Sequence, residues 1–348
     1  MITPSRRRTA VPMAAIATLV LGLTACAGND TTPAGAGTAA GAEGDADAWA
    51  PSQPVQYIAP AGSGGGWDTL ARTTGRVLEQ SDLVDVPFPV QNVEGGGGAV
   101  GWANVAGKAG DDHTLFVTSP PIILVPLAGE SNHDHSDFTP IARLITDYSI
   151  LLVPADSPIE TVTDLFDAAA AEGDSFAIAG GSAPGSMDHI ALAGAAAAAG
   201  HDATAINYVP FSGGGEAMTA ALGGHVDAVV TGAGEALGQV EAGTLRALAT
   251  SAPAGESPIE GVPTLQDEGI DHTFDIWRGV MGPADMSADA VAFYAAMYAD
   301  MLDLDEWAEQ RESLGWVDAY QDSAEFGAFL DEQRDEFATI LGDLGLLG

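Results

Sequence analysis

From about residue 53 onward the chain repeats one pattern: a short apolar run, a glycine-rich turn, then a segment with apolar residues at helical spacing. Val55 to Pro60 reads as a strand and Trp67 to Leu78 as a helix. Phe88 to Val93 is a second strand, which enters Gly95 to Gly98 and a helix to about Lys108. Further strands are read at His113 to Thr118, Ser149 to Val153, Ser175 to Ala179, Ala205 to Val209, Val226 to Thr231 and Leu245 to Thr250. Helices fit between them, most clearly at Ser186 to Ala199 and Glu216 to Leu222. Two long helical stretches, about Ala288 to Leu314 and Ser323 to Leu344, are expected to close the chain without new strands. Short apolar strands alternating with helices predict an α/β fold of mainly parallel sheets flanked by helices.

Four of the turns are glycine-rich junctions leading from a strand into a helix: Ser63 to Asp68, Gly95 to Gly98, Gly180 to Ser186, and Phe211 to Gly215. Helix N-termini present unpaired amides and a partial positive charge, and glycine lets an anion approach the backbone. Tight turns account for any one such loop equally well, and Asp68 and Ser186 serve equally well as plain N-caps. Other chemistries find no support. Gly101 to Lys108 has the wrong spacing for a phosphate-binding P-loop. Gly96, Gly98 and Gly101 match a dinucleotide fingerprint, but the next strand ends Thr118-Ser119-Pro120-Pro121, with no acid for a ribose. Gly180-Gly181-Ser182-Ala183-Pro184 lacks the last glycine of a nucleophile elbow. His133-Asp134-His135 has alternate ligand-type residues, yet it sits in a polar loop where solvated side chains are the commoner reading. No catalytic residue, metal site or cofactor is assigned.

The residues before 53 carry a different message. Arg6-Arg7-Arg8 precedes an uncharged stretch from Thr9 to Ala25, too short to cross a bilayer comfortably, and reads as a signal peptide over residues 1–25. It ends Leu23-Thr24-Ala25-Cys26, similar to the lipobox of bacterial lipoproteins, so Cys26 is expected to be lipidated. As the chain's single cysteine it allows no internal disulfide. Residues 26–52 are rich in alanine and glycine and are expected to form a flexible tether.

Composition narrows the partners. With 46% hydrophobic and 17% charged residues among 348, the chain is neither disordered nor a coiled coil. Eleven Lys+Arg against 49 Asp+Glu give a formal charge of −38. That field repels phosphate backbones, so nucleic acid is excluded as a partner, and it argues against basic docking on anionic lipid.

Several motifs in one order bring a family into view. Ile58-Ala59-Pro60-Ala61-Gly62-Ser63-Gly64-Gly65-Gly66-Trp67-Asp68-Thr69-Leu70-Ala71-Arg72 resembles the opening signature of tripartite tricarboxylate transporter substrate-binding proteins, the Bug receptors. Asn92 to Gly101, Val209 to Gly215, Leu222 to Ala228, Gly261 to Leu265 and Trp277 to Pro283 are similar to later family motifs. The resemblance implies a two-domain, type II-like periplasmic-binding-protein fold with its ligand in the interdomain cleft. Residues 53–151 plus 273–348 would form one domain and 152–272 the other, with hinge crossings near Leu151 and His272. It further implies that Ser63, Gly64, Gly65, Gly66, Trp67 and Asp68 hold a ligand carboxylate. Gly181, Ser182, Gly185 and Ser186 would face them, and Ser119, Gly213 and Gly214 would line the same cleft. The expected ligand is citrate or another di- or tricarboxylate, bound without a divalent metal. The expected partners are the large and small membrane subunits of the transporter, with the receptor a lipid-anchored, extracytoplasmic monomer. A carboxylate sensor docking on a signalling kinase would use the same pocket, and an exported α/β enzyme would need a nucleophile–base pair that is not seen. His113 stands where the family usually has a tyrosine, which loses an aromatic, and Phe211 replaces a frequent tyrosine, which loses a hydroxyl. If backbone amides form the anion site, a β-branched residue at Gly65 or Gly185 should damage binding more than loss of Arg72.

Overall fold

A computed structural model describes residues 49–348; the leader, Cys26 and most of the expected tether lie outside the described residues. In chain order the elements are β1 (Gln56–Ala59), α1 (Gly66–Gln80), β2 (Val90–Asn92), α2 (Ala99–Ala106), β3 (Thr114–Thr118), α3 (Pro121–Leu127), β4 (Thr139–Pro154), α4 (Val162–Glu172), β5 (Ala177–Gly180) and α5 (Met187–Ala198). Then follow β6 (Asn207–Pro210), α6 (Gly214–Leu222), β7 (Ala228–Gly232), α7 (Ala233–Glu241), β8 (Leu245–Thr250), β9 (Asp275–Gly282), α8 (Ala288–Leu302), α9 (Asp305–Ser313), β10 (Val317–Gln321) and α10 (Ser323–Asp343).

The strands form two sheets that share β4. In the first the order is β2-β1-β3-β9-β4, with β10 also on β4; the second runs β4-β7-β5-β6, with β8 also on β4. The changeover is sharp. Tyr148 pairs with Asp275 of β9 in the first sheet, and Ser149 pairs with Gly232 of β7 in the second. Ser251 ties the crossing together: its N–H donates to the Ser149 carbonyl at 2.8 Å and its hydroxyl to the Phe274 carbonyl at 2.7 Å.

Parallel pairing is confined to β2-β1-β3 and β6-β5-β7; β4, β9, β8 and β10 pair antiparallel, so both sheets are mixed. The sequence pattern missed β9, β10 and the first half of β4. In β4 and β9, buried polar residues (Arg143, Thr146, Asp147 and Arg278) interrupt what is otherwise an apolar strand. β10 is a half-exposed strand between helices, where alternation is weak. The stretch expected as one helix from Ala288 to Leu314 breaks at Asp303–Leu304 into α8 and α9.

The two sheets carry different cores. All six tryptophans pack in or against the core of the first sheet, together with Tyr57, Tyr294 and Tyr298. Around the second sheet the buried helix positions are mostly alanine, as at Ala195, Ala196, Ala217 and Ala221. The folded region starts earlier than expected, because Trp49 packs edge-on against Phe293 and Tyr294 at 5.6 and 5.5 Å between ring centres. Among the described residues no helix is long and apolar enough to cross a membrane.

Candidate functional site

Loops following the parallel strands of both sheets converge on one cavity of about 350 Å³. In α/β folds this is where ligands bind, because the helix N-termini point there. Of the residues singled out from the sequence, Gly65, Gly66, Trp67, Ser119, Gly181, Ser182, Ser186, Gly213 and Gly214 line it. Ser63, Gly64, Asp68 and Gly185 do not. Ser63 and Gly64 are exposed. Asp68 is buried behind the loop and organises it: its carboxylate accepts the Gly64 N–H at 2.9 Å, the Arg72 Nε–H at 2.8 Å and the Asn92 amide at 2.9 Å. Burial alone would raise Asp68, but these three donors outweigh it and hold the carboxyl below its ordinary range. Arg72 is thereby tied to Asp68 and Asn92, with its side chain half exposed, and adds no charge to the cavity.

The glycines matter mainly for space. Gly65, expected to lose binding on β-branched substitution, has φ −78°, and a Cβ there would meet only the Gly62 carbonyl oxygen, at an ordinary 3.7 Å. Its neighbour Gly66 is the constrained one, since a Cβ there would run into the Arg278 guanidinium. Likewise a Cβ on Gly181 would collide with the backbone of Gly213 and Gly214, so two second-sheet loops touch there. Gly95, Gly96, Gly97 and Gly98 all have positive φ, and all four line the cavity.

The expected cradle of open amides is already occupied by the chain's own side chains. The Gly66 N–H, at the start of α1, donates to the Glu235 carboxylate at 3.0 Å. The Gly181 N–H donates to Asp188 at 2.8 Å, the Gly185 N–H to His189 Nδ1 at 2.9 Å, and the Ser212 N–H to Glu216 at 3.2 Å. Ser186 caps nothing: its hydroxyl is buried without a partner.

Behind the glycine loops lies a buried charge cluster. Arg278 on β9 is 2% exposed and lines the cavity as the one Lys or Arg there among the described residues. Its guanidinium meets Asp147 of β4 at 3.1 Å and Glu235 of α7 at 3.9 Å. Asp147 also accepts the Gly234 N–H at 3.3 Å, at the start of α7. Burial raises both carboxyls, and Arg278 opposes that shift in each. Asp188, on the first turn of α5, has only a distant share of that guanidinium; burial and then the nearby Glu235 push it up to about 7.

Arg278, Asp147, Glu235 and Asp188 were missed as site residues by sequence reasoning. For the first two a signal existed: each is a lone charge inside an apolar strand, Ile276 to Gly282 and Ile145 to Leu152, where an unpaired charge is too costly to bury. Asp188 and Glu235 look like ordinary acids of helix first turns.

Two sheets sharing a strand, with a cavity between their loops, are the architecture of the periplasmic-binding-protein fold. The family model described as "Tripartite tricarboxylate transporter family receptor" matches residues 76–346. BugT of Bordetella pertussis is 31% identical over 247 residues, covering 67% of this chain and 71% of that protein. A crystal structure of a TctC solute-binding protein from Polaromonas is 28% identical, with TM-score 0.61 over 84% of this chain and 99% of that one. MatC from Rhodopseudomonas palustris with bound malate, 22% identical, has the same fold: TM-score 0.74 over 84% of this chain and 99% of that chain. The chain therefore belongs to the tripartite tricarboxylate transporter receptor family. It is a receptor of the solute-binding kind, not an enzyme.

Proposed function

We propose that this receptor captures a small carboxylate, citrate or another di- or tricarboxylate, and delivers it to the large and small membrane subunits of a tripartite transporter. The observation that carries the reading is the cavity at the loop ends of both sheets, with the buried Arg278 guanidinium on its wall. Its Nε–H has no partner among the described residues, which leaves a donor suited to a carboxylate oxygen. The remaining donors would be the Ser186 hydroxyl and the backbone around Gly65, Ser182 and Gly213; the MatC relative with malate supports the ligand class. No divalent metal takes part in this reading.

Domain closure would follow the shared strand. Residues 53–151 with 273–348 form one proposed domain and 152–272 the other, and the Ser149–Ser251–Phe274 hydrogen bonds mark the hinge between them. The receptor would be held at the membrane through a lipidated Cys26 and act as a monomer. Calorimetric titration of a panel of organic acids tests the ligand: citrate or a dicarboxylate should bind without metal, and binding only of an uncharged solute would overturn the reading. Cys26→Ala should release the protein from membranes; unchanged membrane fractionation would overturn the anchor.

A further inference from the structure

The carboxylate reading leaves two lining carboxyl oxygens without a partner among the described residues: Glu235 Oε2, whose carboxylate lies 3.9 Å from the Arg278 guanidinium, and Asp188 Oδ1, which has no cation so close. Asp188 is 1% exposed and lines the cavity, yet only one of its carboxyl oxygens is engaged: Oδ2 accepts the Gly181 N–H, and the Ser182 hydroxyl lies beside the carboxyl. The other, Oδ1, is buried without a partner. A buried, unpartnered carboxylate oxygen is costly, and one facing an anion is more so. Close by, the Ser186 hydroxyl is 1% exposed and also unpartnered, and the unpartnered Arg278 Nε–H adds a donor to the same lining. The cavity thus offers donors for a carboxylate and, separately, an acceptor that a carboxylate would not satisfy.

We propose that Asp188 is a specificity residue: its free oxygen accepts a hydrogen bond from a donor on the ligand, so the site selects carboxylates that carry a hydroxyl or ammonium group over unsubstituted ones. The inference rests on the carboxylate reading of the cavity and adds to it the chemistry of the second recognised group. Plain di- and tricarboxylates would place either methylene or a second negative charge against Asp188 and leave its oxygen unpaired. Sites built to meet a ligand hydroxyl reject the analogue lacking it strongly. A water carried in with an unsubstituted ligand would serve the orphaned oxygen in part, so a discrimination of at least about tenfold, and no larger floor than that, is expected here.

The surroundings set the pH at which this works. Asp188 faces Glu235 from α7, Arg278 from β9, Tyr208 from β6, and its own neighbour His189 on α5. Asp147 on β4 lies behind Arg278 and is neutralised by it. Burial lowers His189 from its ordinary value, and its ring stacks on Tyr208 at 4.7 Å while Nδ1 accepts the Gly185 N–H. Tyr208, raised by burial, stays protonated and donates to the Ser182 carbonyl at 2.6 Å. Asp188 itself changes state near neutrality. Above that point it is an acceptor only; below it, the protonated carboxyl becomes a donor and tolerates a second carboxylate.

Matched ligand pairs test this directly. Malate against succinate and citrate against tricarballylate each differ by one hydroxyl. In calorimetry at pH 8, the hydroxy acid of whichever pair the cavity admits should bind at least about tenfold tighter, a gap that narrows at pH 6. Aspartate, with an ammonium at the same carbon, identifies the donor: tighter binding than malate assigns an ammonium, weaker binding a hydroxyl. In Asp188→Asn the side-chain oxygen can keep the Gly181 N–H while the amide NH₂ faces the ligand, so the preference should vanish or reverse and lose its pH dependence. Should that variant not fold, the wild-type pairs still decide. Equal affinity within both pairs at pH 8, with binding retained, overturns the role of Asp188 and leaves the carboxylate reading standing. Failure of all these acids to bind overturns the carboxylate reading itself.

Discussion

The glycine rim of the cavity and its charged wall solve the same electrostatic problem in opposite ways. Along the rim, two carboxylates stay close in sequence to the amides they serve, Asp68 taking the Gly64 N–H four residues away and Asp188 the Gly181 N–H seven away, while the Gly66 N–H is held from the wall by Glu235. Both carboxyls are buried, but the glycines they hold, Gly64 and Gly181, are exposed and half-buried. The wall instead gathers Asp147, Glu235 and Arg278 from β4, α7 and β9 and buries them together. There a missing partner has no water to replace it. The comparison teaches that several of the amides expected to receive an anion in this strongly acidic receptor, those of Gly66, Gly181 and Ser212, already have a partner. Its own acids hold those amides, and a single buried guanidinium supplies the cationic side chain of the cavity.

Removing that guanidinium should therefore produce the largest effect. Arg278→Met leaves Asp147 and Glu235 buried without their cation, a situation that costs about 3–5 kcal/mol. Urea unfolding at pH 7.5 should reveal a loss of that size, together with loss of carboxylate binding. Both carboxyls are already raised by burial, and without Arg278 they rise further. A carboxyl with a raised folded-state pKa favours folding at low pH and loses that contribution as pH climbs, so the variant should recover stability toward pH 5. A variant as stable as wild type at pH 7.5 would break the distinction between wall and rim.

Next in size come two adjacent glycines. Gly66→Ala drives a methyl group into Arg278, and overpacking of this kind costs about 1–3 kcal/mol. Gly65→Ala, with extended φ and only an ordinary contact at its Cβ, should stay within about 0.5 kcal/mol of wild type. Thermal unfolding and titration of the two variants side by side check the pair. Equal losses would mean that the rim acts through backbone conformation and not through its packing on the wall.

Loop and wall also differ in how far the sequence betrays them. The order Ser63 to Asp68 is contiguous, and a run of glycines between a strand and a helix is a local signal. That is why Gly65, Gly66, Gly181 and Gly214 were found, and why most of β1 to β8 were found with them. The wall is an intersection of three segments separated by 43 or more residues, and no local pattern announces which lone charges meet. Arg278 and Asp147 even hid the strands that carry them, because a charge inside an apolar run breaks the alternation that marks a strand. What each glycine does was equally invisible, since room at a Cβ depends on what packs opposite.

The wild-type protein should show a smaller signature of the same buried acids. With Asp188 near 7 in the folded state against an ordinary unfolded value, stability is complete well below neutrality and falls as pH rises through 7. One such group contributes on the order of 2 kcal/mol between pH 5 and pH 7. The acids held low, such as Asp68, act in the opposite sense, but only at lower pH. Urea midpoints should therefore decline across this interval in wild type and decline less in Asp188→Asn. A flat wild-type profile would show that Asp188 is ionised throughout.

The smallest effect belongs to Arg72. Its side chain is 52% exposed and its pairing with Asp68 at 2.8 Å spans one helical turn. Exposed pairs of this kind contribute under about 1 kcal/mol. Loss of Arg72 still leaves Asp68 with the Gly64 N–H and the Asn92 amide, so the loop keeps its shape. Arg72→Ala should lower stability by less than about 1 kcal/mol, with salt reducing the difference further by screening. Carboxylate affinity should change by less than about twofold, because a charge already neutralised by a buried neighbour projects little field into the cavity. The geometry restates the ranking expected from the sequence as Gly66 above Arg72, with Gly185, at φ +77°, as the second glycine to compare. A tenfold loss of affinity in Arg72→Ala, with the fold intact by circular dichroism, would mean that the rim supplies charge after all and that Arg278 does not act alone.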